Sequence, residues 1–554
     1  MNGDALYDAK THLAGPTLQS ADYAIQLFQR GGESDIARAL NVVKALIQLQ
    51  VDDPSARTHG QFPFHPGGEA QDLNAALFIM PQLMQLLKCG RECMPKELAG
   101  DFDACVQRAT LASERRWTEE RFDLHRDFKG YTNIFLLYIQ AILLAGEHYG
   151  DERLLRQATA QWQRWFNHVS YYGIDEFASP TYSNIDYGVL KTICETTRDN
   201  QMRRESKHVL DHLSALLHGI THPVLRLPVC GSSRDYRGFL KPGNHEAACV
   251  REGEDSPYTS KSVRDDYTKR SFPYSVQGRA TTVPFRFQSW QDSNAAMGSM
   301  TGGNYYWQQI HCMVAVGKNE HERAVLFAPG AYTPTSGFVC QHEHTALCLF
   351  SRKPNSFHRT QEPMPDAQVH AYQGAFGIGM TRNWEMAQHA CGSIVLSAYG
   401  YEVLIQPFEI RNGTATPISL PRTKQNDMSQ GRFHKTAADF DALMFPDDAV
   451  CFGCRVSVQR GTVSRVSSDI HVTEQDNVMT VDAGNGLRVR IFQHPSGELT
   501  ELYEDDWRTQ PLLETPVHRL NPGDLTHLAA EASAGDEEVQ AHLVVSVKLG
   551  VPSM

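Results

Sequence analysis

The chain has 554 residues, of which 41% are hydrophobic, and its formal net charge at pH 7 is −12. This length exceeds the usual size of one hydrophobic core, so two or three domains are expected. The negative charge argues against a general nucleic-acid-binding protein. No apolar run is long enough for a membrane span, since the longest, at residues 135–146, is short and interrupted by Gln140.

The amino-terminal sequence, residues 1–12, lacks the basic end and following apolar stretch of a secretory signal. A chain from which such a signal had been removed would look the same. The expected location is therefore secreted or periplasmic if a signal has been removed, and cytoplasmic otherwise.

Apolar residues recur at helical intervals through roughly the first 220 residues, for example at Leu73, Leu77, Met80 and Leu83. This periodicity predicts eight helices, near residues 18–30, 34–51, 70–89, 96–117, 132–145, 151–168, 180–198 and 201–218. From about residue 273 the pattern changes to short segments rich in β-branched residues and separated by turn residues, which is typical of antiparallel sheet.

Residues 222–272 are polar and poor in periodicity, and they are predicted to form a long connection or a functional loop. The fold class that follows is a multidomain α+β protein. Its predicted parts are a helical domain over residues 1–221, the connection with an active-site loop over 222–272, and an antiparallel β-sheet domain over 273–554. The β-sheet domain could consist of two sub-sheets.

The predicted connections between helices alternate between short and long. In an up-and-down array of helices, alternate connections lie at the same end, so the long ones are expected to share one rim, where function should concentrate. We call this the elaborated rim, and it would collect His65, Arg121 to Arg126, Asn133, Tyr182 and Arg234.

Asn133 falls in the first turn of a predicted helix, where unpaired backbone N–H groups and the helix dipole favour an anion. Its amide could bind a carboxylate, or Thr132 or Asn133 could simply cap the helix. In the sequence Ser179-Pro180-Thr181-Tyr182, Ser179 suits an N-cap and Pro180 the first helical position, which places Tyr182 in the first turn. A tyrosine there could also serve packing alone.

The connection that leaves the last helix carries Arg234 and Tyr236, with His245 further along. The planar guanidinium of Arg234 could hold a carboxylate with two hydrogen bonds, or it could pair with Asp235 at a surface turn. His245 is a further candidate site residue.

In the β-rich half, His342 and His344 are predicted to point to one face of a strand, because side chains alternate there. A polar strand surface is favoured over a metal pair or a catalytic pair. The spacing of Cys451 and Cys454 resembles half of a zinc site, but no second pair follows, and a strand is favoured. The twelve cysteines are expected to be mostly free buried thiols, with a bridge possible between Cys89 and Cys93.

An Asn at a helix start, the segment Glu176–Tyr182 and the run Ser233–Tyr236, set between a helical half and an antiparallel half, resemble the polysaccharide lyases with an incomplete (α/α) toroid and a β-sandwich. These include chondroitin/hyaluronan, exo-alginate and heparinase II/III-like lyases. The resemblance implies a uronic-acid polysaccharide substrate and cleavage by β-elimination to an unsaturated uronate. It also implies that the partner is an anionic glycan, with neither nucleic acid nor membrane, and a homodimer is possible.

Carried over from these families, Asn133 and Arg234 would neutralise the sugar carboxylate and Tyr182 would transfer protons, with Tyr236 or a histidine as its complement. A tyrosine base requires a nearby cation to stabilise its phenolate, which Arg234 could supply. Residues expected to contact substrate are His65, Arg126, Tyr187, His311 and His342. No cofactor and no catalytic metal are predicted.

The chain departs from the family pattern at two positions. Ala178 stands where several relatives have Asn, and Ile134 where others have His, so the usual histidine base is not located. Candidates for it are His245, His311, His342 and His65. Two other functions stay open: a carbohydrate-binding protein without catalysis, and a toroid glycoside hydrolase, which needs two carboxylic acids that face each other across the scissile bond. The acids of the elaborated rim, with no pair singled out by the sequence, are Glu69, Asp72, Glu119, Glu120, Asp123, Asp175, Glu176 and Asp186.

Overall fold

The computed structural model describes residues 3–118, 132–172, 174, 176, 178–179, 181–233, 248–251, 256–280, 285–301, 309–328, 336–351, 376–425, 440–446, 449–462, 470–493, 499–501 and 548–549. Within these residues the chain is an α+β protein, with helices first and antiparallel sheets after them.

All eight helices predicted from periodicity are present, and the largest shift is at one start, predicted at residue 70 and observed at Ala75. The helices are α1 Gly3–Leu6, α2 Thr17–Arg30, α3 Glu33–Leu49, α4 Ala75–Gly90, α5 Lys96–Thr118, α6 Thr132–Tyr149, α7 Glu152–Tyr172, α8 Tyr182–Thr196, α9 Asn200–Ile220, α10 Ala248–Arg251 and α11 Lys261–Thr268, with a 3-10 turn at Arg91–Cys93.

The chain separates into two compact units, one of residues 1–166 and 188–207 and the other of residues 167–187 and 208–554. We call them the first and second units. Their boundary divides helices α7, α8 and α9, so it does not coincide with the change from helices to strands. The three predicted domain ranges stay predictions.

The core of the first unit is built around α6, which is buried on almost all sides from Thr132 to Gly146. Helix α4 packs against α2, α5 and α6, and α5 also packs against α6. Between α5 and α6, the Trp117 ring stacks on Tyr138 with ring centroids 5.5 Å apart. An apolar helix enclosed by amphipathic neighbours is the arrangement that the apolar run of residues 135–146 predicts.

The predicted connection contains more regular structure than its sequence suggests. It includes α10, α11 and a short hairpin of β3 (Thr221–His222) and β4 (Leu227–Pro228). Apolar periodicity did not predict α11, because the residues at helical spacing there are charged. Asp265 forms ion pairs with Lys261 and Lys269, which lie four residues before and four residues after it.

Besides the β3–β4 hairpin, the described strands of the second unit form three antiparallel sheets, and the first unit has a two-stranded ribbon of β1 (Tyr7–Asp8) and β2 (Leu13–Ala14). The bounds are β5 Tyr274–Ala280, β6 Phe285–Gln291, β7 Ala295–Thr301, β8 Cys312–Gly317, β9 Arg323–Ala328, β10 Ser336–His342, β11 Thr345–Ser351, β12 Gly377–Met380, β13 Glu385–Gln388, β14 Ile394–Ala398, β15 Tyr401–Arg411, β16 Thr414–Pro417, β17 Arg422–Gln425, β18 Phe440–Met444, β19 Cys451–Arg460, β20 His471–Gln475, β21 Val478–Asp482, β22 Arg488–Gln493, β23 Leu499–Glu501 and β24 Lys548–Leu549.

The largest sheet has nine strands in the order β17-β18-β12-β9-β8-β7-β6-β5-β24. A second sheet has the order β10-β11-β19-β15-β14-β13, with β16 paired to β15, and a third has the order β20-β21-β22-β23. The prediction that Cys451 and Cys454 lie on a strand is confirmed, because both belong to β19.

Both faces of the nine-stranded sheet are buried. Successive side chains of β8 point to opposite faces, and each face packs into a different hydrophobic cluster. Cys312 and Val314 join a hydrophobic cluster shared with the second sheet. Met313 joins the cluster on the opposite face, which includes Leu225 and Val229 from the chain after α9. A third cluster joins the second sheet to β21 and β22. The chain after α9 is therefore held against the sheet.

None of the described helices combines the length and apolar character needed to cross a membrane. The described residues also contain no group of three or more His, Cys, Asp or Glu side chains arranged to hold a metal ion. All twelve cysteines are free thiols.

Candidate active site

Tyr182 opens helix α8, as the capping signals predict. The Ser179 hydroxyl oxygen accepts a hydrogen bond from the Tyr182 backbone N–H at 3.1 Å, and the Ser183 N–H donates to the Ser179 carbonyl. Ser179 is therefore the N-cap, and Tyr182 lies in the first turn. Its side chain is 8% exposed, so the phenol is nearly enclosed.

The turn before this cap has a left-handed residue. Ala178 has φ 47°, a region that Asn and Gly enter more readily than Ala. This is the position where the lyase pattern has Asn, so the departure seen in the sequence falls at a point of backbone strain. Ala178 is also 5% exposed, so the turn that carries it is packed.

A pair of buried carboxyl groups flanks Tyr182. Glu176 precedes the strained turn and Asp186 follows Tyr182 by four residues on α8, and both are 0% exposed. Burial, and then the negative charge of Glu176, raise the pKa of the Asp186 carboxyl well above its ordinary value of 3.8. Neither Asp186 oxygen accepts a hydrogen bond within the described part of the chain. Burial and the absence of a hydrogen-bond donor among the described residues both favour the neutral form of the Asp186 carboxyl over its carboxylate.

The first turns of α8 are tied to the segment before α11. Tyr187 is 1% exposed, and its hydroxyl lies 3.1 Å from the Ser256 hydroxyl. An Arg264 guanidinium nitrogen donates to the Ser256 carbonyl oxygen at 2.7 Å. The Ser260 backbone N–H donates to the Asp211 carboxylate, also at 2.7 Å, which joins this segment to α9. Hydrogen bonds within the second unit thus join the start of α8 to the segment before α11, and that segment to α9.

The segment that leads to Arg234 is fixed on the nine-stranded sheet. Ser232 exchanges two backbone hydrogen bonds with Ile310, at 2.8 and 3.0 Å. A Cβ atom on Gly231 would lie 2.1 Å from the Met300 Cβ, so only glycine fits there. Ser233 is completely buried. The chain is therefore anchored up to the residue before Arg234.

His311 follows Ile310 and is 1% exposed. Its Nδ1 lies 3.3 Å from the Met300 carbonyl oxygen, and its ring packs edge to face on Phe350. Burial lowers the pKa of this imidazole to about 4, so it is neutral at pH 7. A Cβ atom on Gly337 would lie 2.4 Å from the ring, so Gly337 leaves the room that the ring fills.

The prediction that His342 and His344 share one face of a strand is wrong. Strand β10 ends at His342, and the pairing of His342 with Thr345 makes Glu343 and His344 a two-residue turn. The two imidazoles therefore do not share a strand face. His342 is exposed, and the His344 ring contacts Trp290, with ring centroids 5.4 Å apart.

Two predicted site residues belong to the first unit. Asn133 is the second residue of α6 and is 1% exposed, so its expected place in a first helical turn is confirmed. His65 is exposed on the connection between α3 and α4. Four further predicted residues lie outside the described part of the chain: Arg126, Arg234, Tyr236 and His245. The roles assigned to all these residues stay predictions.

Sequence reasoning did not single out the pair of Glu176 and Asp186, although both were among the acids on the elaborated rim. One usable signal was the spacing of Tyr182 and Asp186, because residues four apart share one side of a helix. The position of Glu176 depends on the turn at Ala178, which no local pattern indicated.

Comparison with known proteins gives limited similarity. A family model described as a domain of unknown function (DUF8769) matches residues 4–236. No curated protein matches the chain. Among solved structures, a crystal structure of heparinase III is similar over 87% of this chain and 82% of that one, with 10% identity and a TM-score of 0.43.

Two further heparinase III structures show a similar level of agreement. One, with methylated lysines, has 8% identity and a TM-score of 0.36 over 86% of this chain and 82% of that one. The other has 10% identity and a TM-score of 0.37 over 87% and 84%.

Proposed function

We propose that this protein is a polysaccharide lyase that cleaves a uronic-acid-containing glycan by β-elimination. The observation that carries the proposal is the start of α8, where Tyr182 lies in a capped first turn and Asp186, one turn further on, is fully buried with no hydrogen bond to either carboxyl oxygen among the described residues. The N-terminal end of a helix favours negative charge, both on a substrate carboxylate and on a phenolate. A phenol at this place is suited to proton transfer beside an anionic sugar.

The chemistry requires three contributions. The C5 proton of a uronate is very weakly acidic, so its carboxylate must be neutralised, and we assign this to Asn133 and Arg234. Tyr182 then takes the C5 proton as the C5–H bond breaks. The electron pair forms the C4=C5 double bond, the C4–O bond breaks, and the departing oxygen receives a proton from Tyr182 or Tyr236. The product is a 4,5-unsaturated uronate.

The same proposal covers the architecture. We infer that the helical region is an incomplete (α/α) toroid and that the strands form a β-sandwich. Two sheets that share one hydrophobic cluster support the second inference. An experimental structure whose helical hairpins did not arrange around a common axis would reject the first.

The test is incubation of the purified protein with a panel of polyuronides. Elimination produces an unsaturated sugar end that absorbs in the near ultraviolet, together with a new reducing end. A panel that yields neither product, under conditions where a polyuronide binds, would indicate a carbohydrate-binding protein and reject the proposal.

The decisive variant is Tyr182→Phe, which removes only the hydroxyl. We expect kcat to fall by about 10²–10⁴-fold, the usual contribution of a general acid or base. Tyr149→Phe, at the end of α6, is the matched control and should keep full activity. Near-normal turnover by a folded Tyr182→Phe protein would remove Tyr182 from the mechanism.

A glycoside hydrolase is the second candidate, and one observation favours it: Glu176 and Asp186 are both fully buried, and the charge of Glu176 acts on Asp186. Hydrolases on related helical scaffolds use two carboxyl groups across the scissile bond. Hydrolysis would create reducing ends without near-ultraviolet absorption. That product, abolished by Glu176→Gln, would establish the hydrolase in place of the lyase.

A further inference from the structure

The carboxyl pair has an unusual environment for two acids. Glu176 and Asp186 are both fully buried, and both Asp186 oxygens lack a hydrogen-bond partner among the residues that the structure describes. Moving a carboxylate from water to a buried site without hydrogen-bond donors costs roughly several kcal/mol more free energy than moving a neutral carboxyl group there. Two such charges side by side would also repel each other. At least one of the two groups must therefore keep a proton.

The geometry connects this pair to Tyr182. Asp186 is four residues after Tyr182, so the two side chains share one side of α8. Glu176 reaches the same helix start through the turn at Ala178 and the cap at Ser179. Both carboxyl groups are therefore held by the elements that set the position of Tyr182.

We propose that Glu176 and Asp186 hold one proton between them and act as positioning residues for Tyr182. This inference rests on the proposed lyase function and names the groups that keep its site suited to an anion. With one proton retained, the pair carries at most one negative charge. The phenolate of Tyr182 and the uronate then avoid the repulsion of two adjacent carboxylates.

The surrounding charges agree with this assignment. Within the described chain, the ionisable group that acts on Asp186 is Glu176, and no cation contributes. Arg264, on the segment bonded to Tyr187 through Ser256, donates to backbone carbonyls. Asp211, on α9, accepts from the Ser260 N–H. A proton is therefore the means by which Asp186 loses its charge.

The first experiment measures folding and needs no substrate. An Asp pKa raised in the folded state means that the folded chain binds more protons than the unfolded chain above pH 3.8. Stability then falls as pH rises from there through the raised pKa. We expect the unfolding midpoint of the wild type to decline over this window, and Asp186→Asn to remove the part of the slope that corresponds to about one proton.

Glu195→Gln is the matched control, since Glu195 is exposed on the same helix, and its pH dependence should follow the wild type. Parallel curves for the wild type and Asp186→Asn would overturn the proposal. If Asp186→Asn does not fold, the infrared band of a protonated carboxyl group in the wild type at pH 7 replaces it as the measurement. That band should disappear at alkaline pH, and its absence from the wild type at pH 7 would equally overturn the proposal.

The second experiment tests positioning, with a polyuronide that supports elimination. In Asp186→Asn the side chain at this position is neutral at every pH. The alkaline limb of the pH profile of kcat should therefore move to higher pH. At neutral pH, kcat should fall less than in Tyr182→Phe. An unchanged alkaline limb would contradict the positioning role. If no polyuronide is cleaved but the folding linkage is present, the lyase function fails and the shared proton stands.

Discussion

Ala178 has a strained backbone conformation that the surrounding chain requires. Its φ of 47° is needed for the chain to turn from Glu176 into the Ser179 cap. A Cβ atom in the left-handed region costs roughly 1–2 kcal/mol, which glycine avoids. The turn therefore sets the position of the Glu176 carboxyl relative to the start of α8, and its strained backbone lowers local stability.

Replacement of Ala178 by Gly is expected to stabilise the protein by about 0.5–1 kcal/mol, because relief of the left-handed strain exceeds the added chain entropy of the unfolded state. Urea unfolding measures this change. The opposite result is expected for Ala160→Gly, exposed in the middle of α7, which should cost about 1 kcal/mol. Loss of stability in Ala178→Gly would show that the Ala178 methyl group contributes more through packing.

Imidazoles in the second unit show the same dependence on surroundings. His218 and His222 are buried, and burial lowers the pKa of each to about 4. The His222 ring nitrogens contact the Asp292 carbonyl oxygen and the N–H groups of Val224 and Leu225. These histidines are satisfied core residues, although their residue type alone would admit them as catalytic candidates.

At the scale of an element, the end of helix α9 depends on a buried arginine. The Arg270 guanidinium donates to the carbonyl oxygens of His218, Gly219 and Thr221, which the helix itself leaves unpaired. Its side chain is 0% exposed and its charge lies 3.9 Å from the Tyr274 ring centroid. Arg270 therefore closes the helix and joins it to the first strand of the nine-stranded sheet.

Arg270→Leu is expected to destabilise the protein by about 3 kcal/mol or more, because it leaves several buried carbonyl groups without donors. The free energy of urea unfolding checks this value. Lys269→Ala is the control, since Lys269 is exposed and its ion pair with Asp265 is screened by solvent, so its loss should change stability little. Equal stabilities for the two variants would contradict the capping role.

The β10–β11 hairpin shows why a strand pattern can mislead. His342 and His344 were predicted to lie on one strand, but the chain reverses at Glu343, which has φ 48°. Two-residue hairpin turns with a positive φ usually carry Gly or Asn at that position. The sequence has neither residue there, so no local signal marked the turn.

At the scale of the whole molecule, burial separates the cysteines into reactive and protected groups. Cys93 and Cys391 are exposed. In contrast, Cys312, Cys348 and Cys454 lie together between two sheets, and hydrogen bonding within this group, followed by burial, raises the pKa of the Cys348 thiol. The thiolate is the reactive form of cysteine, so this group should be inert in the folded protein.

Alkylation of the native protein, followed by mass spectrometry of peptides, is expected to modify Cys93 and Cys391 and to leave Cys312, Cys348 and Cys454 unmodified. Denaturation should make all five react. Rapid native modification of Cys348 would mean that the sheets separate readily, contrary to their shared hydrophobic cluster.

Much of the fold could be predicted because its signals are local. Apolar periodicity located all eight long helices, and the change of pattern near residue 220 located the β region. The capped start at Ser179 and Tyr182 was also readable, since a cap depends on residues that are adjacent in the chain. These features required no knowledge of distant contacts.

The tertiary structure alone decided which groups lose contact with water and which acids meet. Glu176 and Asp186 resembled other rim acids until the turn at Ala178 and the packing around α8 buried them together. His311 became a neutral core residue for the same reason. Protonation depends on burial and on neighbouring charges, which are set by residues far apart in the chain, so a sequence pattern of short range does not contain it.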